Sequence, residues 1–404
     1  QVTVDAVERC LHDLLKPVIE TTGLTWHLPS QGQELPETFI LNPPSALVYH
    51  NELYVCAPSK WSLSPNADSS RFHGWMMLAF DGAQWRTATG DKYGKHTFGS
   101  ESYSYNKVCE AWINPVVLNA APIELPKSGH LFAYGNRYDK KEEFTCFAVY
   151  PPNVWYAPSV AALKEEIGQQ VQATRPALVR FNDSVLFLFV GSDSRIFLSN
   201  ILQVDDVLQT QHMSNGKPLG EGLLFSTDRR IAGSVFNRKI YCAYRQNGSA
   251  RLLVTHSDDG NTWTPPVLLP GEGSCDGPGL VEYGERLYCA YAGTEGDNSL
   301  YIVSTSDGEM WTHPTPIPKA TCSSTPSLAT FRGQSGAAKL YCFYMSLTPD
   351  GAGQQQLAYR VASLETLAQP ASAPSASPSP SSPAALHEQV KVPEKGGTLP
   401  IAQA

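Results

Sequence analysis

The feature that most narrows what this chain can fold into is an internal repeat. A strand, a two- or three-residue turn and a second strand recur at Ser45–Cys56, Pro176–Phe187, Gly233–Tyr244 and Gly279–Tyr291. The pattern returns at Ser327–Phe331 with Lys339–Cys342, and a degraded copy spans Pro122–Leu125 with His130–Tyr134. Cys242 and Cys289 are 47 residues apart, and Cys289 and Cys342 are 53 apart. After the second strand come a polar loop, a third strand such as Ser299–Ser304, a Gly-containing turn and a short fourth strand after a tryptophan. One such unit cannot hide its apolar faces alone, so copies must stack on one another.

A period of about 40–50 residues with four strands per repeat predicts a β-propeller. Closing the ring buries both faces of every blade and leaves only short edges. The expected fold is therefore all-β, a propeller of about six four-stranded blades over residues 43–368. Residues 1–42 form the lead-in, with a short N-terminal helix at 5–19. There Val7, Leu11, Leu14, Leu15 and Val18 share a face, and Asp5 with Glu8 resembles a capping box. A second short helix is expected at Ser159–Val171. From 369 to 404 the chain is rich in Ala, Ser and Pro. Such a segment cannot bury enough apolar area to offset its ordering entropy, so a disordered tail is expected.

Composition excludes several classes. The formal net charge is −8 and no Lys/Arg-rich run occurs, which argues against nucleic acid. No stretch reaches the roughly 18–20 apolar residues of a membrane span. No secretory leader is visible after Gln1. Nine cysteines is an odd number, which argues against a disulfide framework. Cys56, Cys242, Cys289 and Cys342 lie in apolar strand-like runs, where a thiol acts as a small buried hydrophobe. No Cys-x-x-Cys pair occurs, and neither a metal nor a cofactor is expected.

Two turns sit one repeat apart: Ser257-Asp258-Asp259-Gly260-Asn261-Thr262-Trp263 and Ser304-Thr305-Ser306-Asp307-Gly308-Glu309-Met310-Trp311. Phe80-Asp81-Gly82-Ala83-Gln84-Trp85 is a weaker copy without the serine. Asp and Gly make a tight turn, with Gly at positive φ. The pattern resembles the Asp-box of sialidase-like propellers. That resemblance implies structural roles for Ser257, Asp259, Gly260 and Trp263, and for Ser304, Asp307, Gly308 and Trp311. It also places these turns on the face opposite the ligand site. The blade texture is similar, more weakly, to bacterial propeller lectins.

A sialidase of that family is expected to carry a first arginine in a Tyr/Phe-Arg-Ile-Pro motif, three arginines gripping a carboxylate, and a Tyr–Glu pair. The tetrapeptide is absent; Arg229-Arg230-Ile231-Ala232 is the nearest string and lacks the proline. The resulting expectation is a non-catalytic, lectin-like carbohydrate- or glycoconjugate-binding propeller. It suits a targeting domain of a larger secreted or cell-surface protein. An exo-sialidase-type hydrolase and a protein-interaction scaffold are the alternatives. On the ligand face the candidate binding residues are Arg137, Arg175, Arg230, Arg245, Asp276, Glu295 and Trp61.

Overall fold

The structure is a computed structural model that describes residues 22–30, 33, 35, 40, 43–60, 73–87, 117–124, 131–137, 143–148, 155–156, 174–191, 193–205, 210–213, 216–333, 336–347 and 355–364. The expected helices at 5–19 and 159–171 and the tail at 369–404 lie outside them. Among the described residues the helical structure is a single 3₁₀ turn, Leu223–Phe225.

The first described strand, β1 (Leu24–His27), belongs to the last sheet. The first sheet runs β2 (Ser45–Tyr49), β3 (Glu52–Lys60), β4 (His73–Phe80), β5 (Trp85–Thr87). The second runs β6 (Val117–Glu124), β7 (Leu131–Arg137), β8 (Glu143–Ala148), β9 (Trp155–Tyr156). The third holds β10 (Thr174–Phe181), β11 (Ser184–Val190), β12 (Ile196–Asp205), β13 (Thr210–Met213) and β14 (Lys217–Pro218), with β12 pairing both β13 and β14. The fourth runs β15 (Ile231–Phe236), β16 (Lys239–Arg245), β17 (Leu252–Ser257), β18 (Val267–Leu268). The fifth runs β19 (Gly279–Tyr283), β20 (Arg286–Ala292), β21 (Ser299–Thr305), β22 (Thr315–Thr321). The sixth runs β23 (Ser327–Phe331), β24 (Lys339–Ser346), β25 (Gln356–Leu364), and β1 completes it.

Two features correct the expected arrangement. Five of these sheets are four-stranded, whereas the β10–β14 sheet has five strands. The extra strand arises because the long β12 outruns a single partner: its C-terminal half, Ile201–Asp205, pairs β13, and Phe197 and Leu198 near its start pair β14. The propeller also begins earlier than residue 43. Leu24 pairs Leu364 and His27 pairs Val361, so a lead-in segment supplies the outer strand of the last sheet.

The first strands of the sheets neighbour one another in the order β2, β6, β10, β15, β19, β23 and back to β2. They line the axis, and the sheets radiate from them. Middle strands explain why the sheets stack. In β16, Ile240, Cys242 and Tyr244 face the β10–β14 sheet, while Tyr241 and Ala243 face the β19–β22 sheet. In β20, Leu287, Cys289 and Tyr291 face back, while Tyr288 and Ala290 face forward. In β24, Leu340, Cys342 and Tyr344 face back, while Tyr341, Phe343 and Met345 face forward. The period-2 alternation thus has no solvent face, and near-continuous apolar runs result. The repeated cysteines are packing groups: burial pushes the thiols of Cys56, Cys242, Cys289 and Cys342 well above their ordinary value.

Candidate functional site

Each sheet has two ends, and their chemistry differs. At one end lie the turns between first and second strands, and those between third and fourth. Asn237 and Arg238 both take positive φ, 48° and 61°, which makes a tight two-residue hairpin between β15 and β16. Beyond β17, Ser257 Oγ accepts from Gly260 N at 2.8 Å, and Asp259 Oδ1 accepts from Asn261 N at 2.7 Å and Thr262 N at 2.9 Å. Beyond β21, Asp307 Oδ1 accepts from Glu309 N and Met310 N, both at 2.9 Å. Here the hydroxyl that accepts from Gly308 N at 2.8 Å belongs to Thr305, not to Ser304. Aligning on the hydroxyl two residues before the aspartate would have found it; aligning on serine did not. Ser304 Oγ instead accepts from Arg286. The third copy keeps the same geometry without a hydroxyl, with Ala83 N and Gln84 N donating to Asp81 Oδ1.

These carboxylates are held by their own loops. The amides of Gln84 and Ala83 hold Asp81 below the usual carboxylate range, and those of Thr262 and Asn261 do the same for Asp259. Partial burial works against ionisation of Asp307, but the amides of Glu309 and Met310 outweigh it. Trp311 is buried in the cluster between the fourth and fifth sheets, and Trp263 and Trp85 pack against neighbouring clusters. Gly308, at φ 86°, lies where a Cβ would meet the Tyr241 hydroxyl at 2.0 Å. The turn of one sheet therefore seats on the tyrosine of the one before it.

At the other end the first strands begin. Antiparallel pairing sets Ile231, the first residue of β15, beside Tyr244, and Arg245 beside Leu252, so strand starts and the loops after second strands share this end. Here a cavity of about 130 Å³ lies among the starts of five first strands: Pro44–Ala46, Pro176–Leu178, Arg230–Gly233, Pro278–Leu280 and Thr325–Leu328. Prolines stand at four of these starts. A first strand has no ladder partner on its axial edge, so a missing N–H costs little there.

Arg230 crosses this mouth. Its Nη1 donates to the carbonyls of Pro43 at 3.1 Å and Pro44 at 3.3 Å, and its Nη2 donates to Ser45 Oγ at 2.8 Å. Burial pulls its pKa down to about 10, and the Asp276 charge opposes that shift. Asp276 clamps adjacent sheets: Oδ1 accepts from Gly277 N at 2.8 Å and Oδ2 from Thr325 N at 3.0 Å. Gly277 is needed because a Cβ there would lie 2.1 Å from the Arg230 carbonyl oxygen. Thr325 Oγ1 is buried at the cavity with no hydrogen-bond partner.

Arg175 is half-buried at the same mouth. Burial lowers its pKa, Asp228 and Asp276 raise it, and Arg229 lowers it further. Its φ of 50° is unfavourable for an arginine that precedes proline, a strain of about 1–3 kcal/mol. Arg245 does not join it. Its Nε donates to Ser249 O at 2.6 Å and its Nη1 to Cys275 O at 2.7 Å, so it fastens loops together. Glu295 is exposed in the β20–β21 loop. Arg137 is described only as the last residue of β7, paired with Val117, and Trp61 lies outside the described residues. The mouth thus gathers Arg175, Arg230 and Asp276. It adds Ser45 and Thr325, which the sequence signals only by their places at or just before a first strand. Among the described residues, no group of three or more His, Cys, Asp or Glu could hold a metal ion.

No family model and no curated protein matches the chain. Solved structures do. A Trypanosoma rangeli sialidase aligns with a TM-score of 0.51 at 15% identity, over 85% of this chain and 58% of that one. A triple arginine-to-alanine variant of AofleA from Arthrobotrys oligospora aligns with a TM-score of 0.52 at 11% identity, over 84% and 86%. A protein of unknown function from Dyadobacter fermentans aligns with a TM-score of 0.51 at 12% identity, over 86% and 100%. The fold is that of sialidase-like and lectin-like β-propellers. The chain spans little more than half the length of the sialidase it matches. Among the described residues no helix is long and apolar enough to cross a membrane.

Proposed function

We propose that this chain is a non-catalytic propeller that binds a glycan or glycoconjugate at the axial mouth. One observation carries the reading. The cavity there is small and partly polar, contains a buried hydroxyl with no partner at Thr325, and among the described residues is lined by no tyrosine or carboxylate. A hydroxyl-rich ligand supplies what Thr325 Oγ1 lacks. A retaining glycosidase needs paired catalytic groups about 5 Å apart, and the described residues of the lining provide none. The arginines also argue for this reading, because Arg230 and Arg245 are engaged by protein acceptors rather than free to grip a substrate carboxylate. At about 130 Å³ the cavity is below the ~300–1,000 Å³ of ordinary ligand pockets, so it takes one group of a sugar and leaves the rest to the surrounding loops. Such a ligand fits a secreted or cell-surface protein.

A glycan-array screen of the full chain, run beside a fluorogenic sialoside, tests this. Binding to a narrow glycan set without turnover is the expected result. Turnover would replace the reading with a sialidase, the activity named for the Trypanosoma rangeli relative. Silence in both would point to a protein-binding scaffold.

A further inference from the structure

Counted around the ring, β15 and β2 are three steps apart in either direction, so they stand opposite one another. Arg230, immediately before β15, nonetheless donates to Pro43, Pro44 and Ser45 at the start of β2. The other polar ties at this end join neighbours: Asp276 reaches Thr325 of the next sheet, and Arg245 reaches Cys275. Arg230 alone among these described ties spans the axis. Its pKa of about 10 leaves it charged at neutral pH, so the three bonds are charge-assisted and hold the side chain in place.

We propose that Arg230 is a cross-axis bolt that limits the depth of the axial cavity, and thereby the size of the ligand group admitted. With the guanidinium across the mouth, the cavity holds a fragment the size of a few linked heavy atoms. Thr325 Oγ1 meets that fragment from the side. Without the bolt, the cavity merges with the space between the starts of β15 and β2. The identity of the ligand rests on the glycan reading; the size limit does not.

The test uses two neutral polyols as probes, glycerol and myo-inositol, with the full-length protein and the R230Q variant. Glutamine is too short to cross the axis and introduces no buried charge. Binding is followed by ligand-observed NMR, and the site is located by soaking crystals. The expected result is that the native protein admits glycerol at the axis and excludes inositol. R230Q then binds inositol about tenfold more tightly than the native protein does. Inositol at the axis of the native protein, or its exclusion from folded R230Q, would overturn the proposal. If R230Q does not fold, S45A removes one of the three acceptors and adds no charge. Partial inositol occupancy is then expected, and complete exclusion would overturn the proposal. A native protein that ignores every glycan on the array while R230Q gains inositol would sink the glycan reading and leave the bolt standing.

Discussion

The two ends of the sheets solve the same problem in opposite ways. At the turn end the Asp-box carboxylates are satisfied within a few residues of themselves: Asp259 by Asn261 and Thr262, Asp307 by Glu309 and Met310. At the mouth the ties that join one sheet to another reach far along the sequence. Arg230 bonds to residues more than 180 positions away, Asp276 to one 49 away, and Thr325 Oγ1 has no hydrogen-bond partner. Local satisfaction makes a module that repeats and holds its shape. Satisfaction at a distance, left incomplete, makes a place where something else can bind.

The largest expected contrast between the ends comes from glycine. Gly308 at the turn end has positive φ and lies against Tyr241, whereas Gly296 in a mouth-end loop has positive φ, 92°, and open space. Gly308→Ala should cost about 3 kcal/mol from strain plus a buried clash, and Gly296→Ala about 1 kcal/mol from strain alone. Denaturant unfolding of both variants measures the difference; equal losses would erase the contrast.

Next comes the pair of carboxylates. Asp276→Ala leaves the amides of Gly277 and Thr325 without their acceptor, breaks the tie from Asp276 to the next sheet and removes a charge that favours ionised Arg230, and should cost about 2–3 kcal/mol. Asp307→Ala undoes one loop and should cost about 1 kcal/mol, as loss of a cap does. A larger loss at Asp307 in the same unfolding assay would mean that the local module, not the cross-sheet clamp, holds the ring.

A smaller effect concerns pH. Asp81 and Asp307 have folded-state pKa values below the unfolded one. Their stabilising effect is full above the unfolded carboxylate value and is lost as pH falls through the lower folded values. An Asp81→Asn/Asp307→Asn double variant should therefore lose less stability than the native protein between about pH 5 and 2. Parallel melting-temperature curves for the two proteins would contradict this.

The smallest expected change in stability is at Thr325. Replacing an unpartnered buried hydroxyl by a methyl group, as in Thr325→Val, should shift stability by less than about 1 kcal/mol, in the stabilising direction. Glycan binding should nevertheless fall. Unchanged binding would remove Thr325 from the site.

The same contrast accounts for what was legible in the amino-acid sequence. The repeat, the tyrosine–cysteine strands and the Asp–Gly turns are each complete within one unit of about 50 residues, so neighbouring letters suffice to see them. Arg230 could be named as a candidate, because it stands at the start of a first strand. That it reaches Pro43 rather than a ligand depends on which strands face one another across the ring, and no local pattern encodes that. Arg245 shows the same limit: a lone arginine after a second strand looks free until Cys275 O is found beside it. The strand at Leu24–His27 went unseen for the opposite reason, since four residues without a repeat partner carry almost no periodic signal.

That short strand also fixes a sequence of events. Leu24 pairs with Leu364, so the last sheet is completed by two segments from nearly opposite ends of the described chain. During synthesis at about 5–20 residues per second, β1 must wait tens of seconds for its partner. Until β25 emerges, β1 and β24 both lack the strand that lies between them in the sheet. The bonds from Arg230 to the start of β2 likewise join segments far apart in the chain, and they require β15 and β2 to face one another across the axis.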